Sequence, residues 1–150
     1  MDDIDKNFMY MALKEAEKAF EEDEVPIGAV LVYKNKIIAK GYNQVERLKD
    51  ATAHAEMICL TSAYSYFNDW RLTDTVLYST LEPCLMCSGA IFLSRIKRIV
   101  YATEDTRVGI EWNGIDFLKS RCSIEIKKGV LKDISKNLLK KFFKKKRVLK

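Results

Sequence analysis

The sequence predicts an α/β protein in which helices cover both faces of a β-sheet. Two β-branched and aromatic segments around a short polar turn indicate a hairpin over residues 27–42. After the hairpin, strand-like and helix-like segments alternate to the C-terminus, which is typical of a layered α/β fold. The 150 residues are 48% hydrophobic, so we expect a single domain over residues 1–150.

An amphipathic helix is predicted before the hairpin. Apolar side chains recur at helical spacing over residues 8–20, and charged side chains, including Glu15, occupy the other face. Pro26 cannot continue this helix, and the hairpin strands are predicted over 27–33 and 37–42. A close backbone approach is expected at the glycines at the outer ends of the hairpin: Gly28 and Gly41.

The elements after the hairpin are predicted from the same patterns. Residues 43–52 are polar and are expected to form a loop. The elements that follow are a helix over 54–66, a strand over 75–80, a helix over 84–94, a strand over 98–103, a loop over 104–114, a short helix over 114–120, a strand over 123–127 and a helix over 133–146. Pro83 is placed at the first position of its helix, where its missing N–H would have no partner anyway. The last helix carries an apolar stripe: Ile134, Leu138, Leu139 and Phe142.

The positive charge of the chain is concentrated at its C-terminus. The net charge is +5, yet residues 140–150 carry seven Lys and Arg side chains, which leaves the other 139 residues at −2. Such a basic arm favours a polyanionic partner, nucleic acid first and an acidic membrane surface second. No apolar run reaches the roughly 20 residues of a membrane helix. The acidic N-terminus does not resemble a secretory signal, so we expect a cytoplasmic protein.

Four residues form a constellation that is typical of a metal site. His54 is the only histidine, Glu56 lies two residues after it, and Cys84 and Cys87 form a C-x-x-C pair after Pro83. Cysteines at i and i+3 on the first turn of a helix point the same way, and the helix N-terminus stabilises their thiolates. Zinc prefers nitrogen and sulfur ligands in a tetrahedron, and His54 can supply the third ligand.

Three protein ligands leave one tetrahedral position for water, which is typical of a catalytic zinc site. Glu56 is the candidate to move protons to and from that water, because residues 54 and 56, both in the first turn of a helix, can reach a site beyond the helix end. A structural site would need a fourth protein ligand. Cys59 is a poor fourth ligand because it lies about 140° around the helix from His54. Cys122 remains an alternative ligand, although core packing is the expected role of both cysteines.

These motifs resemble a known family of RNA-editing enzymes. His-x-Glu at 54–56 and Pro-Cys-x-x-Cys at 83–87 match the signature of zinc nucleobase deaminases. The wider resemblance covers nearly the whole chain and is to the bacterial tRNA-specific adenosine deaminases. It is carried by these runs: Glu24–Val30, Gly41–Asn43, Thr52–Glu56, Leu81–Cys87, Gly89–Ile91, Ser94–Ile96 and Phe142–Phe143.

The resemblance implies a fold and an activity. The fold would be the cytidine deaminase-like three-layer α/β/α sandwich with a five-stranded mixed sheet. The reaction would be hydrolytic deamination of adenosine to inosine at the wobble position of an arginine tRNA, with one Zn²⁺ per subunit. The protein would be a homodimer in which each anticodon stem-loop contacts both subunits, and no membrane would be involved.

The resemblance also implies roles for individual residues. His54, Cys84 and Cys87 match the zinc ligands, and Glu56 matches the residue that shuttles protons. The expected substrate contacts are Asn43, which bonds to the flipped nucleoside, Ile27, which forms an apolar wall of the base pocket, and Ala55, Asp105 and Phe143.

This sequence departs from the family pattern at two places. Ala51 replaces a common proline before Thr52, which loosens the loop and spares the ligands. The RNA-bordering segment 106–113 lacks its usual small residues and carries Trp112, which could stack on a base. Two other functions remain open. One is deamination of a free nucleobase or nucleoside such as guanine or cytidine, and the other is a zinc-stabilised RNA-binding module without chemistry.

Overall fold

A mixed sheet forms the centre of the molecule. The computed structural model describes residues 2–105, 114–121 and 123–148, so Trp112, the segment 106–113 and Cys122 lie outside the described residues. The strands are β1 (Gly28–Tyr33), β2 (Lys36–Tyr42), β3 (Thr75–Leu81), β4 (Arg98–Thr103) and β5 (Glu125–Lys128). They form one five-stranded sheet in the order β2-β1-β3-β4-β5. β1 pairs antiparallel with β2 and β3, whereas β3, β4 and β5 run parallel to one another.

Helices cover both faces of this sheet. They are α1 (Asp2–Glu21), α2 (Val45–Leu48), α3 (Ala55–Phe67), α4 (Leu85–Leu93), α5 (Gly114–Arg121) and α6 (Lys132–Val148). α1 and α6 pack on one face, and α3, with α4 and α5, packs on the other. The predicted three-layer α/β/α sandwich with a five-stranded mixed sheet is therefore confirmed.

Each face of the sheet has its own apolar core. Leu31, Leu77 and Ile99 point towards α3 and α4 and pack with Leu60 and Ile91, all essentially without solvent exposure. The side chains that alternate with these along the same strands pack against α1 on the other face of the sheet: Val30, Val32, Tyr78, Val100 and Ala102. Burial on both faces explains why these strands are apolar along their whole length. Among the described residues, no helix combines the length and the apolar character needed to cross a membrane.

α1 differs from its prediction at the N-terminus and on its polar face. It begins at Asp2 rather than at residue 8. Asp5 is 5% exposed because it lies against the sheet, where it accepts hydrogen bonds from Tyr78 Oη, Arg98 and Lys127 at 2.7–3.0 Å. Glu15, predicted on the solvent face, is also 5% exposed and pairs with an exposed lysine of the same helix. The prediction for Glu15 was wrong because charge alone does not identify the face that the sheet covers.

Two other local predictions were wrong. Residues 43–52 contain the short helix α2, since the buried Glu24 carboxylate accepts hydrogen bonds from the N–H groups of Glu46 and Arg47 at 3.0 and 2.7 Å. Pro83 does not occupy the first position of α4. Cys84 is the N-cap of α4, and Pro83 precedes the cap. Proline there favours an extended conformation in the residue before it, which suits the end of β3.

α6 buries most of its predicted stripe, since Leu138 and Leu139 are half-buried, but its first turn differs. Ile134, assigned to the apolar stripe, is 51% exposed, whereas Ser135 is 1% exposed. Ser135 Oγ donates a hydrogen bond to the Thr80 carbonyl at 2.6 Å, so a hydroxyl rather than an aliphatic side chain holds the start of this helix on β3. Phe142 is buried, as predicted.

The predicted close approach at both hairpin glycines is confirmed. A Cβ atom on Gly28 would lie 2.1 Å from the Ala12 carbonyl oxygen of α1. A Cβ atom on Gly41 would lie 2.4 Å from the Ala55 carbonyl oxygen of α3. The two glycines therefore let helices on opposite faces approach the hairpin backbone.

Candidate metal centre and its cavity

The N-termini of α3 and α4 and the C-terminal end of β3 meet at one edge of the sheet. His54 is the N-cap of α3 and Cys84 is the N-cap of α4, both with extended backbone. Cys87 lies one turn into α4. α4 follows β3 directly, so the carboxyl end of this strand places the C-x-x-C pair beside His54. The same edge of a parallel sheet is the usual location of ligand sites in α/β folds.

The distances among the three predicted ligands fit a tetrahedral zinc ion. His54 Nδ1 lies 3.6 Å from Cys84 Sγ and 3.6 Å from Cys87 Sγ. Zinc–nitrogen and zinc–sulfur bonds of about 2.1 and 2.3 Å at a tetrahedral angle place nitrogen and sulfur about 3.6 Å apart. The three ligand atoms all lie within 4.8 Å of one another. This donor set therefore fits zinc.

The two thiols differ in their tendency to ionise. The hydrogen bond from Cys87 lowers the pKa of Cys84 to about 4, with a smaller contribution from His54. The same contact, together with burial, raises the pKa of Cys87 well above its usual range. The cluster thus already favours one thiolate, at a helix N-terminus where negative charge is stabilised.

Glu56 lies next to this group in the first turn of α3. It is 4% exposed and lines the same cavity as His54 and Cys84. Burial raises the pKa of its carboxyl group to about 7. The start of α3 therefore presents an imidazole and a carboxyl group to one space, as the H-x-E spacing predicts.

A cavity of about 660 Å³ opens in front of these side chains, and we call it the metal-side cavity. Three of the predicted substrate residues line it: Ile27, Asn43 and Asp105. Ile27 and Asn43 are fixed to each other, since the Asn43 N–H donates a hydrogen bond to the Ile27 carbonyl at 3.1 Å. Asn43 is 5% exposed.

The structure does not bring the other two predicted substrate side chains into this cavity. Ala55 is fully buried in the core on the α3 face and does not line the cavity. Phe143 lines a separate groove. Its neighbour Phe142 lines the metal-side cavity. Cys59 packs in the core and is not part of the ligand cluster, as predicted.

Two buried carboxylates shape the cavity wall and were not assigned a role from the sequence. Glu24 is 1% exposed and caps α2. Glu82 is 7% exposed and accepts a hydrogen bond from the Asp105 N–H at 3.0 Å. Both residues lie in runs that carry the family resemblance, next to a proline or one residue from it. The position of Glu24 and Glu82 close to a proline, within segments that match the family, is the sequence signal that could have identified these two carboxylates.

The second groove lies beside the metal-side cavity and has the opposite charge. Its volume is about 940 Å³, and we call it the basic groove. Leu139 and Phe143 contribute apolar surface. Six cations line it: Lys132, Lys136, Lys140, Lys144, Lys146 and Arg147. The predicted basic arm therefore belongs largely to a helix that borders the site, at least as far as residue 148.

Comparison with known families gives a match over most of the chain. The family model of the cytidine and deoxycytidylate deaminase zinc-binding region matches residues 2–103. This range contains all three residues of the ligand cluster and Glu56.

Named relatives are similar over three quarters of this chain or more. A tRNA-specific adenosine deaminase of Buchnera aphidicola is 43% identical over 145 residues, which cover 95% of this chain and 96% of the relative. A chloroplastic tRNA(adenine(34)) deaminase of Arabidopsis thaliana is 51% identical over 112 residues. That match spans 75% of this chain and only 9% of the plant protein.

Solved structures share the fold. One, from a study of A-to-I editing by tRNA:A34 deaminases at the wobble position of transfer RNA, is 37% identical, with a TM-score of 0.81. The match covers 88% of this chain and 98% of that one. A guanine deaminase from Nitrosomonas europaea is 25% identical, with a TM-score of 0.80 and coverage of 91% and 83%. The fold is thus shared by proteins named for different substrates.

Proposed function

Because this chain belongs to the cytidine and deoxycytidylate deaminase family and to its tRNA-specific adenosine deaminase branch, we propose that it converts adenosine to inosine at the wobble position of a tRNA anticodon. An arginine tRNA is the proposed substrate, and the cytoplasm is the proposed place of action. The observation that carries the proposal is the tetrahedral fit of His54, Cys84 and Cys87 beside the buried Glu56.

We propose that His54 Nδ1 and the two thiolates hold the zinc ion. When bound, zinc lowers the pKa of a coordinated water to about 7 and so supplies a nucleophile near neutral pH. Hydrolysis replaces the C6 amino group of adenine by oxygen and releases ammonia. Protons must therefore pass from water to ring N1 and to the departing amine. Glu56 is the buried carboxyl group that lines this cavity next to His54, and we assign it this transfer.

The metal-side cavity would hold a base that has left the anticodon loop. Ile27 offers an apolar wall, and Asn43 offers an amide that can both donate and accept hydrogen bonds. The Ala55 N–H is available at the start of α3, where a developing negative charge would be stabilised. Asp105, whose own N–H is bonded to Glu82, lies at the side that adjoins the basic groove.

The basic groove supports an RNA substrate. Its cations can bind the phosphates on either side of the extruded nucleotide, and Phe143 offers an aromatic ring on which a loop base can stack. A free nucleobase carries no phosphate and would make no use of these cations. This contrast favours the tRNA reaction over deamination of free guanine or cytidine.

A homodimer is the proposed assembly. Leu85, Gly89 and Leu93 follow each other at intervals of four on α4, so they share one face of the helix. Leu85 is 36% and Leu93 is 65% exposed, and a Cβ on Gly89 would meet no atom within 4 Å. This apolar face can pack closely against a second copy. Leu93→Glu should shift the protein towards monomer in sedimentation, whereas Ile134→Glu on the opposite layer should not.

The decisive experiment is an editing assay with zinc-loaded protein. An anticodon stem-loop of arginine tRNA with adenosine at the wobble position should accumulate inosine, and the same RNA with adenosine moved one loop position should not. Glu56→Gln should bind the RNA without converting it. Faster turnover of free guanine than of RNA would favour the free-base reaction. RNA binding without inosine from the zinc-loaded wild type would indicate a binding module.

A further inference from the structure

We propose that Asp23 and Lys146 form an exchangeable ion pair that limits the affinity of the site for RNA phosphate. In this inference, which rests on the proposed function, Lys146 leaves the Asp23 carboxylate and binds an RNA phosphate when the base enters the metal-side cavity. Asp23 thus competes with the RNA for Lys146 and sets the affinity with which the RNA binds.

The first support is the location of the pair at the boundary of the two cavities. Lys146 lines both the metal-side cavity and the basic groove. Its Nζ donates a hydrogen bond to the carboxylate of Asp23, which lines only the metal-side cavity. Lys146 therefore lies within reach of a nucleotide that has its base in one cavity and its phosphate in the other.

The second support is the separation of charge. Among the described residues that line it, the metal-side cavity has seven carboxyl groups. Apart from His54, two cationic side chains line it: Arg47 and Lys146. The basic groove has six cations and two carboxyl groups. Arg47 is already paired with Glu22 at 2.9 Å. Lys146 is therefore the cation of the metal-side cavity that a phosphate in the basic groove can also reach.

The third support is that the pair can separate readily. The Asp23 and Lys146 side chains are 58% and 37% exposed, and an exposed ion pair contributes little to stability. Asp23 has a φ of +63° at the end of α1, and its N–H is bonded to the Phe20 carbonyl at 3.1 Å. The backbone that carries the Asp23 side chain is thus fixed. Lys146 has a long flexible side chain, which the Phe142 ring keeps near the boundary at 5.6 Å.

The test measures binding of the anticodon stem-loop to the zinc-loaded protein by fluorescence anisotropy at several salt concentrations. Asp23→Asn should tighten binding about fivefold near 0.1 M salt, since it leaves one unpaired cation close to a phosphate. The slope of log K against log salt should stay nearly the same, because Lys146 binds a phosphate in both proteins, whereas Lys146→Gln should make it shallower by about 0.7. Asparagine tolerates a positive φ, so Asp23→Asn should keep the fold.

Two further variants test whether the change in RNA affinity arises from the Asp23–Lys146 ion pair. Lys146→Gln should weaken binding, and Asp23→Asn combined with Lys146→Gln should lose the gain that Asp23→Asn gives alone. Glu17→Gln, an exposed carboxylate of α1 outside both cavities, changes the net charge equally and should leave binding nearly unchanged.

The result that overturns the inference is a gain that persists without Lys146 or that Glu17→Gln reproduces. Inosine formation by the wild type is measured in parallel. If inosine forms while Asp23→Asn leaves binding unchanged, the ion-pair inference alone is wrong. If the wild type forms no inosine, the proposed function is wrong.

Discussion

Replacement of Gly41 by alanine tests how the hairpin positions the metal ligands. The added Cβ would lie 2.4 Å from the Ala55 carbonyl oxygen and 2.7 Å from the Cys59 nitrogen, both backbone atoms of α3. Ordinary contacts are about 1 Å longer, and backbone atoms cannot rotate away. α3 or β2 must therefore move by several tenths of an ångström or more. His54 precedes Ala55 in the chain, so the imidazole would move with the helix.

The expected cost of Gly41→Ala is about 2–3 kcal/mol of unfolding free energy, which is typical of overpacking against a rigid neighbour. For a chain of this length it corresponds to a fall in Tm of about 5–10 °C. Zinc should also leave faster on addition of a chelator, because ligand positions matter to about 0.2 Å. Gly89→Ala, whose Cβ meets nothing within 4 Å in the same subunit, is the matched control when both variants are made in the monomeric Leu93→Glu background, because Gly89 lies on the proposed dimer face. An unchanged Tm together with unchanged zinc release in Gly41→Ala would refute the reasoning.

Three other substitutions address the site and the core. Glu56→Gln should keep its zinc, measured by elemental analysis, and lose about 10²- to 10⁴-fold in turnover, because it removes the group to which we assign the proton transfer. Glu24→Gln leaves one N–H of α2 facing an amide nitrogen and should lower the unfolding free energy by about 1–3 kcal/mol in denaturant titrations. Asp5→Asn should cost about 2–3 kcal/mol at pH 7, whereas Asp3→Asn on the exposed side of α1 should cost little. The Arg98 guanidinium holds the pKa of Asp5 well below its usual range, so this carboxylate stabilises the fold above its unfolded pKa of about 3.9 and loses that effect as pH falls through the folded pKa. The penalty of Asp5→Asn should therefore be constant from pH 8 to about pH 4 and shrink below it.

The candidate metal cluster was predictable because the H-x-E and C-x-x-C motifs are each local and the chain has a single histidine. The spacing of Cys84 and Cys87 places them on one helical turn, and the preference of zinc for nitrogen and sulfur then favours the lone histidine as a partner. The strands were predictable for a similar reason, since β-branched runs and turn residues act over a few positions. The extent of α1 and the presence of α2 were not predictable in this way. Both depend on partners more than 20 residues away, such as Arg98 for Asp5 and Glu24 for α2.

Two of the predicted substrate side chains could not be placed correctly from the local sequence pattern. Ala55 and Phe143 are adjacent in sequence to residues of the metal-side cavity, yet helical geometry turns each of them elsewhere. A one-residue step around a helix changes direction by about 100°, so only the packed helix decides which of two neighbours faces a cavity.

By itself, the sequence determined the layered α/β class, the donor set and the basic character of the C-terminal helix. Each of these follows from residue types at short range. Only the tertiary structure decided that the two cavities adjoin and have opposite charge, that Lys146 belongs to both, and that Asp5 and Glu24 are buried. The reason is physical: the burial and pairing of a charged side chain depend on which distant segments fold against it, and spacing along one segment does not contain that information.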